Sequence, residues 1–122
     1  MQNNFGVFRT EDLMEKGIED LSKVRDEVEN MHLKDKSASF NTARIEALEM
    51  QNLFEVAEAT AVTANSRKES RGAHSRDDYP DRDDENWLKH SIYFSENKEV
   101  SKRDVNYRPK TVQAFQPMVR SY

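Results

Sequence analysis

The chain has 122 residues, of which 34 % are charged and 35 % hydrophobic, with a net charge of -4 at pH 7 and no cysteine. This length supports one domain with a narrow apolar core, and the acidic balance argues against nucleic acid or anionic lipid as the main partner. The lack of cysteine excludes disulfides, thiolate metal sites and a cysteine nucleophile, and the three isolated glycines exclude a phosphate-binding glycine loop.

The first predicted element is a helix that begins after Thr10 and runs to about residue 30. Thr10 is a favourable N-cap, and Glu11 and Asp12 suit the positive end of the helix dipole. One narrow apolar stripe follows at steps of three and four residues: Met14, Ile18, Leu21, Val24, Val28 and Met31. A glycine inside a helix costs about 1 kcal/mol relative to alanine. We therefore expect another helix to cross closely at Gly17.

A second helix is predicted from Asn41 to about Glu69. One face carries an alanine-rich seam: Ala43, Ala47, Met50, Phe54, Ala57, Ala61 and Ala64. The opposite face is also apolar: Ile45, Leu48, Val56, Ala59 and Val62. Because one partner helix covers only one stripe, we expect this helix to be the middle one of three or to be covered by another domain. Gly72 is predicted to end it as the C′ residue, since glycine tolerates positive φ.

The chain start offers one candidate for the missing third helix. Residues 1–8 contain Phe5, Val7 and Phe8, which we interpret as the end of a helix whose beginning lies outside this sequence. The predicted fold is mainly α, an antiparallel helical bundle of two long helices plus the end of this truncated first helix, followed by an extended tail with a β-hairpin. We expect the uncovered apolar face of such a truncated bundle to favour self-association.

The last part of the chain is predicted to be an extended tail. Residues 65–86 contain almost no aliphatic side chain, and composition alone indicates a disordered linker. Beyond it, strands at 87–94 and 100–107 with a polar turn at 95–98 predict a hairpin. The expected organisation is a helical bundle domain at residues 1–76 and a docking tail at residues 77–122.

No motif in the sequence indicates catalysis. The three histidines lack the spacing of metal ligands: His32, His74 and His90. The acidic run at 77–85 lacks the central glycine and terminal glutamate of a calcium loop. We assign no catalytic, cofactor-binding or metal-binding residue, and the residues alone predict an acidic docking or structural module.

Four residues around the predicted end of the second helix are candidates for interdomain docking: Arg71, Gly72, His74 and Arg76. Cations at a helix C-terminus interact favourably with the helix dipole, so these side chains could serve only as caps and surface charge. Alternatively, Arg71 and His74 reach across an interface to carbonyls or carboxylates, which arginine binds bidentately. Both interpretations stay open on the residues alone.

The string RKESRGAHSRDDYPDRDDENWLKH, at residues 67–90, closely resembles the C-terminal region of flavoproteins of the succinate dehydrogenase and fumarate reductase family. MQNNFGVFR at 1–9, FNTARIEALEMQNL at 40–53 and RSY at 120–122 extend the resemblance over essentially the whole chain. ESRGAH is shared with fumarate reductase flavoproteins. DRDDENWLKH resembles the bacterial succinate dehydrogenase branch and separates the chain from L-aspartate oxidase.

The resemblance implies a parent subunit that is a quinone-linked oxidoreductase. It would oxidise succinate to fumarate at covalently attached FAD and pass electrons through an iron–sulfur subunit to quinone in a membrane anchor. The complex would lie at the cytoplasmic side of the bacterial inner membrane. Alternatives are the same domain of a fumarate reductase flavoprotein, working in the reverse direction, and a free-standing helical interaction module.

For this chain the resemblance implies the C-terminal structural domain, soluble and inactive by itself, with FAD held by the parent subunit and not by these residues. Arg71 and His74 match the RGAH element, and their implied role is to hold this domain against the FAD-binding domain. In that setting the charged segment becomes a docked belt whose charges pair with the rest of the subunit.

Overall fold

The computed structural model describes residues 1–118 of the chain, and this part folds into helices followed by a hairpin. It contains two long helices, one single-turn helix and one pair of strands: α1 (Glu11–Glu29), α2 (Thr42–Ser66), α3 (Asp84–Trp87), β1 (Lys89–Phe94) and β2 (Glu99–Asp104). This mainly α architecture with an antiparallel hairpin confirms the predicted fold class. The matching RSY string at 120–122 lies outside the described residues.

The helices α1 and α2 pack antiparallel, with the core between the apolar stripe of α1 and the alanine seam of α2. Near the start of α1, Met14 is fully buried and clusters with Ala61 and Ala64, late in α2. Further along α1, Arg25 reaches back to Glu58, earlier in α2. Alanine at the contact lets the two helix axes approach closely. The core is therefore narrow, as the low apolar content predicts.

A close approach does occur at Gly17, but the crossing segment is a single turn at the chain start, where a helix was expected. A Cβ on Gly17 would overlap the Phe5 ring and lie 2.7 Å from the Asn4 Cβ. The Phe5 N–H donates to the Met1 carbonyl at 2.7 Å, which closes that turn. Phe5 is buried there and belongs to the core cluster.

The end of α2 differs from the prediction. The helix stops at Ser66, and Arg67 is extended, with φ -84° and ψ 106°, because its guanidinium turns towards the hairpin. Gly72 has the predicted positive φ, +60°, but it is not a C′ residue. It lies in a tight turn between Arg71 and His74, whose backbones exchange hydrogen bonds of 2.8 and 3.0 Å.

The second apolar face of α2 is covered along part of its length only. The hairpin packs on the C-terminal half of α2, where the Tyr93 hydroxyl donates to Glu58 Oε2 at 2.9 Å. Towards the N-terminal half, Ile45, Leu48 and Val56 are 57, 52 and 65 % exposed. In the described part of the chain no third helix covers this face, and Ile45, Leu48 and Val56 stay open.

The hairpin has the predicted four-residue turn at 95–98, with Phe94 paired to Glu99. Both strands are shorter than predicted. β1 starts only at Lys89 because the preceding residues form α3, which begins where the Asp83 side chain accepts from the Asn86 N–H at 3.0 Å.

Candidate docking site

The charged segment between α2 and the hairpin is organised around the fully buried carboxylate of Glu69. This carboxylate accepts from Arg67 Nη1, from Arg71 Nε at 2.8 Å and from the Asp83 N–H at 2.9 Å. Burial on its own would raise the pKa of Glu69, but these hydrogen bonds outweigh it and the pKa is lowered. Glu69 is therefore ionised at neutral pH and fixes Arg67, Arg71 and the backbone at Asp83 around one point.

Around Glu69 and Asp84, the guanidinium groups outnumber the carboxylates that bind them. Arg71 binds Glu69 and also Asp84, at 2.7 Å. Glu69 is shared with Arg67, and Asp84 is shared with Arg82 at 2.9 Å. Two carboxylates thus serve three guanidinium groups. Many of the charges of the predicted belt pair with one another in the described residues, and its docking on another part of a subunit stays a prediction.

Gly72 forms the exposed tip of the turn between Arg71 and His74. A Cβ built on Gly72 meets no atom within 4 Å, so the space around the tip is open. Its φ of +60° is a conformation that side-chain-bearing residues rarely adopt. The turn therefore requires glycine for its backbone and not for lack of room.

His74 is half-buried at the base of the turn, with both ring nitrogens engaged. Nδ1 lies 2.7 Å from Arg9 Nη1, and Nε2 lies 3.2 Å from the Arg67 carbonyl. We assign the neutral tautomer, in which Nδ1 accepts from Arg9 and Nε2–H donates to the carbonyl. Burial lowers the pKa of His74, the bond to the carbonyl works in the opposite direction, and nearby arginines lower it further.

Arg76 lies beneath the turn, and its side chain is fully buried. Its guanidinium holds both oxygens of Asp78, at 2.7 and 2.6 Å, and donates to the Asn65 carbonyl at 3.2 Å. Asp78 also accepts from the Glu11 N–H at 2.8 Å, which ties the start of α1 to the turn. Of the four candidates, Arg71, Gly72 and His74 share one turn near the surface, whereas Arg76 takes its contacts inside the chain.

Sequence reasoning missed the residues of β1 that complete this site. Two adjoining cavities of about 330 and 340 Å³ lie between the turn and the hairpin. We call them together the basic cleft, after the cationic and imidazole side chains that line it: Arg67, Arg71, His74, Lys89 and His90. The cleft joins residues about twenty positions apart, so no local motif could have indicated it. The only signal in the sequence is that Lys89 and His90 follow Trp87 closely.

Aromatic and cationic side chains stack at the mouth of the cleft. The Lys102 Nζ lies 3.4 Å from the centre of the Trp87 ring, and the Arg67 guanidinium carbon lies 5.2 Å from it. Such cation–π contacts stabilise by about 0.5–2 kcal/mol each, depending on solvent exposure. They hold the indole in place as one wall of the cleft.

The described residues contain neither a metal-ligand cluster nor a glycine-rich loop. Residues 1–118 show no group of acidic, histidine or cysteine side chains placed to bind a metal ion. The glycines sit in a turn tip, a helix and the chain start, so no glycine-rich loop faces a cavity in this region. Across the same residues, no helix is long and apolar enough to cross a membrane.

Comparison with known proteins identifies the family. The family model described as "Fumarate reductase flavoprotein C-term" matches residues 1–122. The chain belongs to this family. This confirms the predicted resemblance, because the matched region is the C-terminal one and covers the whole of the sequence.

Curated relatives of this flavoprotein C-terminal domain carry two names. A succinate dehydrogenase flavoprotein subunit of Coxiella burnetii is 52 % identical over 98 % of the chain. A mitochondrial succinate dehydrogenase flavoprotein subunit of Oryza sativa is 40 % identical over 100 % of the chain. A fumarate reductase flavoprotein subunit of Haemophilus influenzae is 34 % identical over 100 % of it. The chain spans about a fifth of the length of each.

A solved structure gives the same answer for the fold. The FrdA chain of an E. coli quinol fumarate reductase variant superposes with a TM-score of 0.80 at 32 % identity. The superposition covers 95 % of this chain and 20 % of that one. The flavoprotein C-terminal domain therefore has the architecture of the corresponding part of a respiratory flavoprotein.

Proposed function

We propose that this chain is the C-terminal structural domain of a flavoprotein subunit that oxidises succinate to fumarate at FAD. The observation that carries the proposal is the 52 % identity to a protein named as a succinate dehydrogenase flavoprotein subunit, extending over 98 % of the chain. The relative named as a fumarate reductase flavoprotein subunit is 34 % identical. The succinate-oxidising assignment is therefore the preferred one.

In this proposal, the FAD and the reacting groups lie in the rest of the subunit. The described residues offer no flavin cradle, and we assign no chemical step to them. Electrons leave the flavin for an iron–sulfur subunit and reach quinone through a membrane anchor, at the cytoplasmic side of the bacterial inner membrane. The family description as a flavoprotein C-terminal region supports this division of roles.

The proposed role of the domain is to dock on the FAD-binding domain through the turn that contains Arg71, Gly72 and His74. Two observations support this role. The Gly72 tip is open, and Glu69 holds Arg71 firmly, so that the turn is preorganised. Arg76 supports the turn from below through Asp78 and makes no direct contact with the other domain.

A chimaeric subunit tests the proposal. In the Coxiella burnetii relative, the matching 120-residue stretch is replaced by this chain, and bound flavin and succinate oxidation with a dye acceptor are measured. We expect the chimaera to hold flavin and oxidise succinate, and the 122-residue chain alone to do neither. Stoichiometric FAD on the isolated chain, or a chimaera without flavin beside an active parent, would overturn the proposal.

The same domain in a fumarate reductase is the second candidate. It is favoured by the description of the family as fumarate reductase flavoproteins and by the TM-score of 0.80 to a quinol fumarate reductase chain. The direction of the reaction depends on flavin and cluster potentials outside this chain. The genes that flank its coding sequence, together with the type of quinone in the source, discriminate between the two candidates.

A further inference from the structure

The basic cleft has the opposite charge character to the chain that contains it. The sequence carries 23 acidic and 19 basic residues, yet no acidic side chain lines either cavity of the cleft. The cations that face it are Arg67, Arg71 and Lys89. A positive concavity of this kind on an acidic protein selects a negatively charged group.

Internal partners leave part of this positive charge unused. Arg67 and Arg71 share the carboxylate of Glu69, and the second carboxylate that Arg71 binds, Asp84, is shared with Arg82. Among the described residues, Arg71 bonds through Nε and Nη2, and its Nη1 makes no hydrogen bond. Lys89 contacts Asp104 at 3.1 Å, but that carboxylate is 87 % exposed and the pair is open to water. A guanidinium edge and an ammonium group are therefore both available to a ligand.

The walls of the cleft favour a strong contact once a ligand is in place. Trp87 and Tyr107 line it and are half-buried. Aromatic walls reduce the local dielectric response, and a charge-assisted hydrogen bond is stronger when water is excluded. The cleft also adjoins the Gly72 tip through Arg71 and His74, so a polypeptide that docks on the tip passes beside it.

We propose that the basic cleft receives the carboxylate side chain of an aspartate or glutamate from the part of the flavoprotein that docks on this domain. This inference rests on the proposed function and names the chemistry of its docking contact. Arg71 Nη1 and Lys89 Nζ donate to the incoming carboxylate. A small free carboxylic acid has the same chemistry and is the competing occupant that the test separates.

Zero-length cross-linking of the chimaeric flavoprotein tests the proposal directly. A water-soluble carbodiimide joins a lysine amine to a carboxylate in contact with it, forming an amide while the carbodiimide takes up the elements of water. Peptide mass mapping should then find Lys89 joined to an aspartate or glutamate outside these 122 residues, besides any internal link to Asp104. A link from Lys89 to Asp104 alone would overturn the proposal and would leave a free acid as the occupant.

Two matched controls belong to the cross-linking experiment. Lys89→Arg keeps the charge and removes the reactive amine, so the external link should disappear. Lys36 is exposed near the start of α2, whereas the cleft lies near its end, about 35 Å away along a helix of this length. We expect no external link from Lys36.

A charge-reversal pair supplies the second measurement. Lys89→Glu and Lys36→Glu change the net charge equally, and only the first reverses the charge of the cleft. We expect Lys89→Glu to lower the temperature at which the chimaera loses flavin by several degrees relative to Lys36→Glu, and this difference to shrink at high salt. Equal flavin-loss temperatures for the two variants would overturn the proposed contact between the cleft and a carboxylate. In that case a flavin-loaded chimaera would still support docking, whereas a chimaera that never assembles would overturn both.

Discussion

Tyr93 of β1 donates a hydrogen bond of 2.9 Å to Glu58 of α2. The same carboxylate binds Arg25 of α1, so one buried glutamate links both helices and the hairpin. Burial on its own would raise the pKa of Glu58, but the hydrogen bonds from Arg25 and Tyr93 outweigh it and the pKa is lowered. The hairpin is therefore anchored to the bundle by a polar contact.

The hydroxyl of Tyr93 should lose its proton only at an unusually high pH. Burial, and then the hydrogen bond to the Glu58 carboxylate, raise its pKa to about 12. We expect Glu58→Gln to move the pKa of Tyr93 back towards 10, because the neutral amide no longer opposes the phenolate. The ultraviolet absorbance of tyrosinate as a function of pH measures this shift. Glu49→Gln, an exposed change in the same helix, is the control and should leave the Tyr93 titration unmoved.

Acid should weaken the link between Asp78 and Arg76. The hydrogen bond from Arg76 lowers the pKa of Asp78 to about 2, from 3.8 in an unfolded chain. Because the folded-state pKa is depressed, this stabilisation is present above pH 3.8 and is lost as the pH falls towards 2. We expect the pair to contribute about 1 kcal/mol to the free energy of unfolding, since the Asp78 side chain is 27 % exposed and solvent screens the pair.

Urea unfolding at several pH values checks this expectation, with Asp78→Asn as the comparison. Near neutral pH, Asp78→Asn should be less stable than the wild type by the whole contribution of the ion pair. This difference should vanish at the acid end of the series. A deficit that stays constant with pH would show that the loss comes from packing and not from the charge of Asp78.

Gly17→Ala should destabilise the domain although alanine is the better helix former. The new methyl group would overlap the Phe5 ring, and overpacking of this kind costs about 1–3 kcal/mol, more than the helix propensity that it gains. Denaturant unfolding measures the loss. The double variant Phe5→Ala with Gly17→Ala removes the overlap with the ring and keeps only the close approach to the Asn4 Cβ, so the glycine change should then cost less than in the parent background. If the losses in stability of the two single variants simply add in the double variant, the contact between Gly17 and Phe5 would be contradicted.

Gly72→Ala should also destabilise, for a different reason. The space around the tip is open, but a φ of +60° costs a residue with a Cβ about 1–2 kcal/mol. Asparagine adopts this region more readily than alanine, so the unfolding temperature of Gly72→Asn should lie between those of the wild type and Gly72→Ala. An alanine variant as stable as the wild type would mean that the turn changes its backbone conformation on substitution.

The two helices were predictable because their apolar residues follow the helical period over many turns. The hairpin was predictable from the alternation in residues 89–94, although its limits were set too wide. The stop of α2 at Ser66 was not, since Arg67 leaves the helix to donate to the backbone carbonyls of Trp87 and Lys89, some twenty residues later. Local propensity does not contain such a contact.

The candidate site was predictable only in part, for the same reason. Arg71, Gly72 and His74 stood out because a glycine lies between two basic residues. Composition made their surroundings look disordered, because it does not record that Glu69 sits where two guanidinium groups and a backbone N–H converge. Lys89 could be recognised only once the hairpin had folded against the turn.

The segment between α2 and the hairpin is held mainly by ion pairs, whereas the helices are held mainly by packed apolar side chains, together with the Arg25–Glu58 pair. These two kinds of contact respond to different conditions. Added salt screens the partly exposed ion pairs of the segment, such as Arg71 with Asp84, and leaves apolar packing intact, so salt should favour local opening of the segment more than global unfolding. Amide hydrogen exchange around Ser70 and His74 should therefore quicken as salt is added, while the amides buried between α1 and α2 keep their protection.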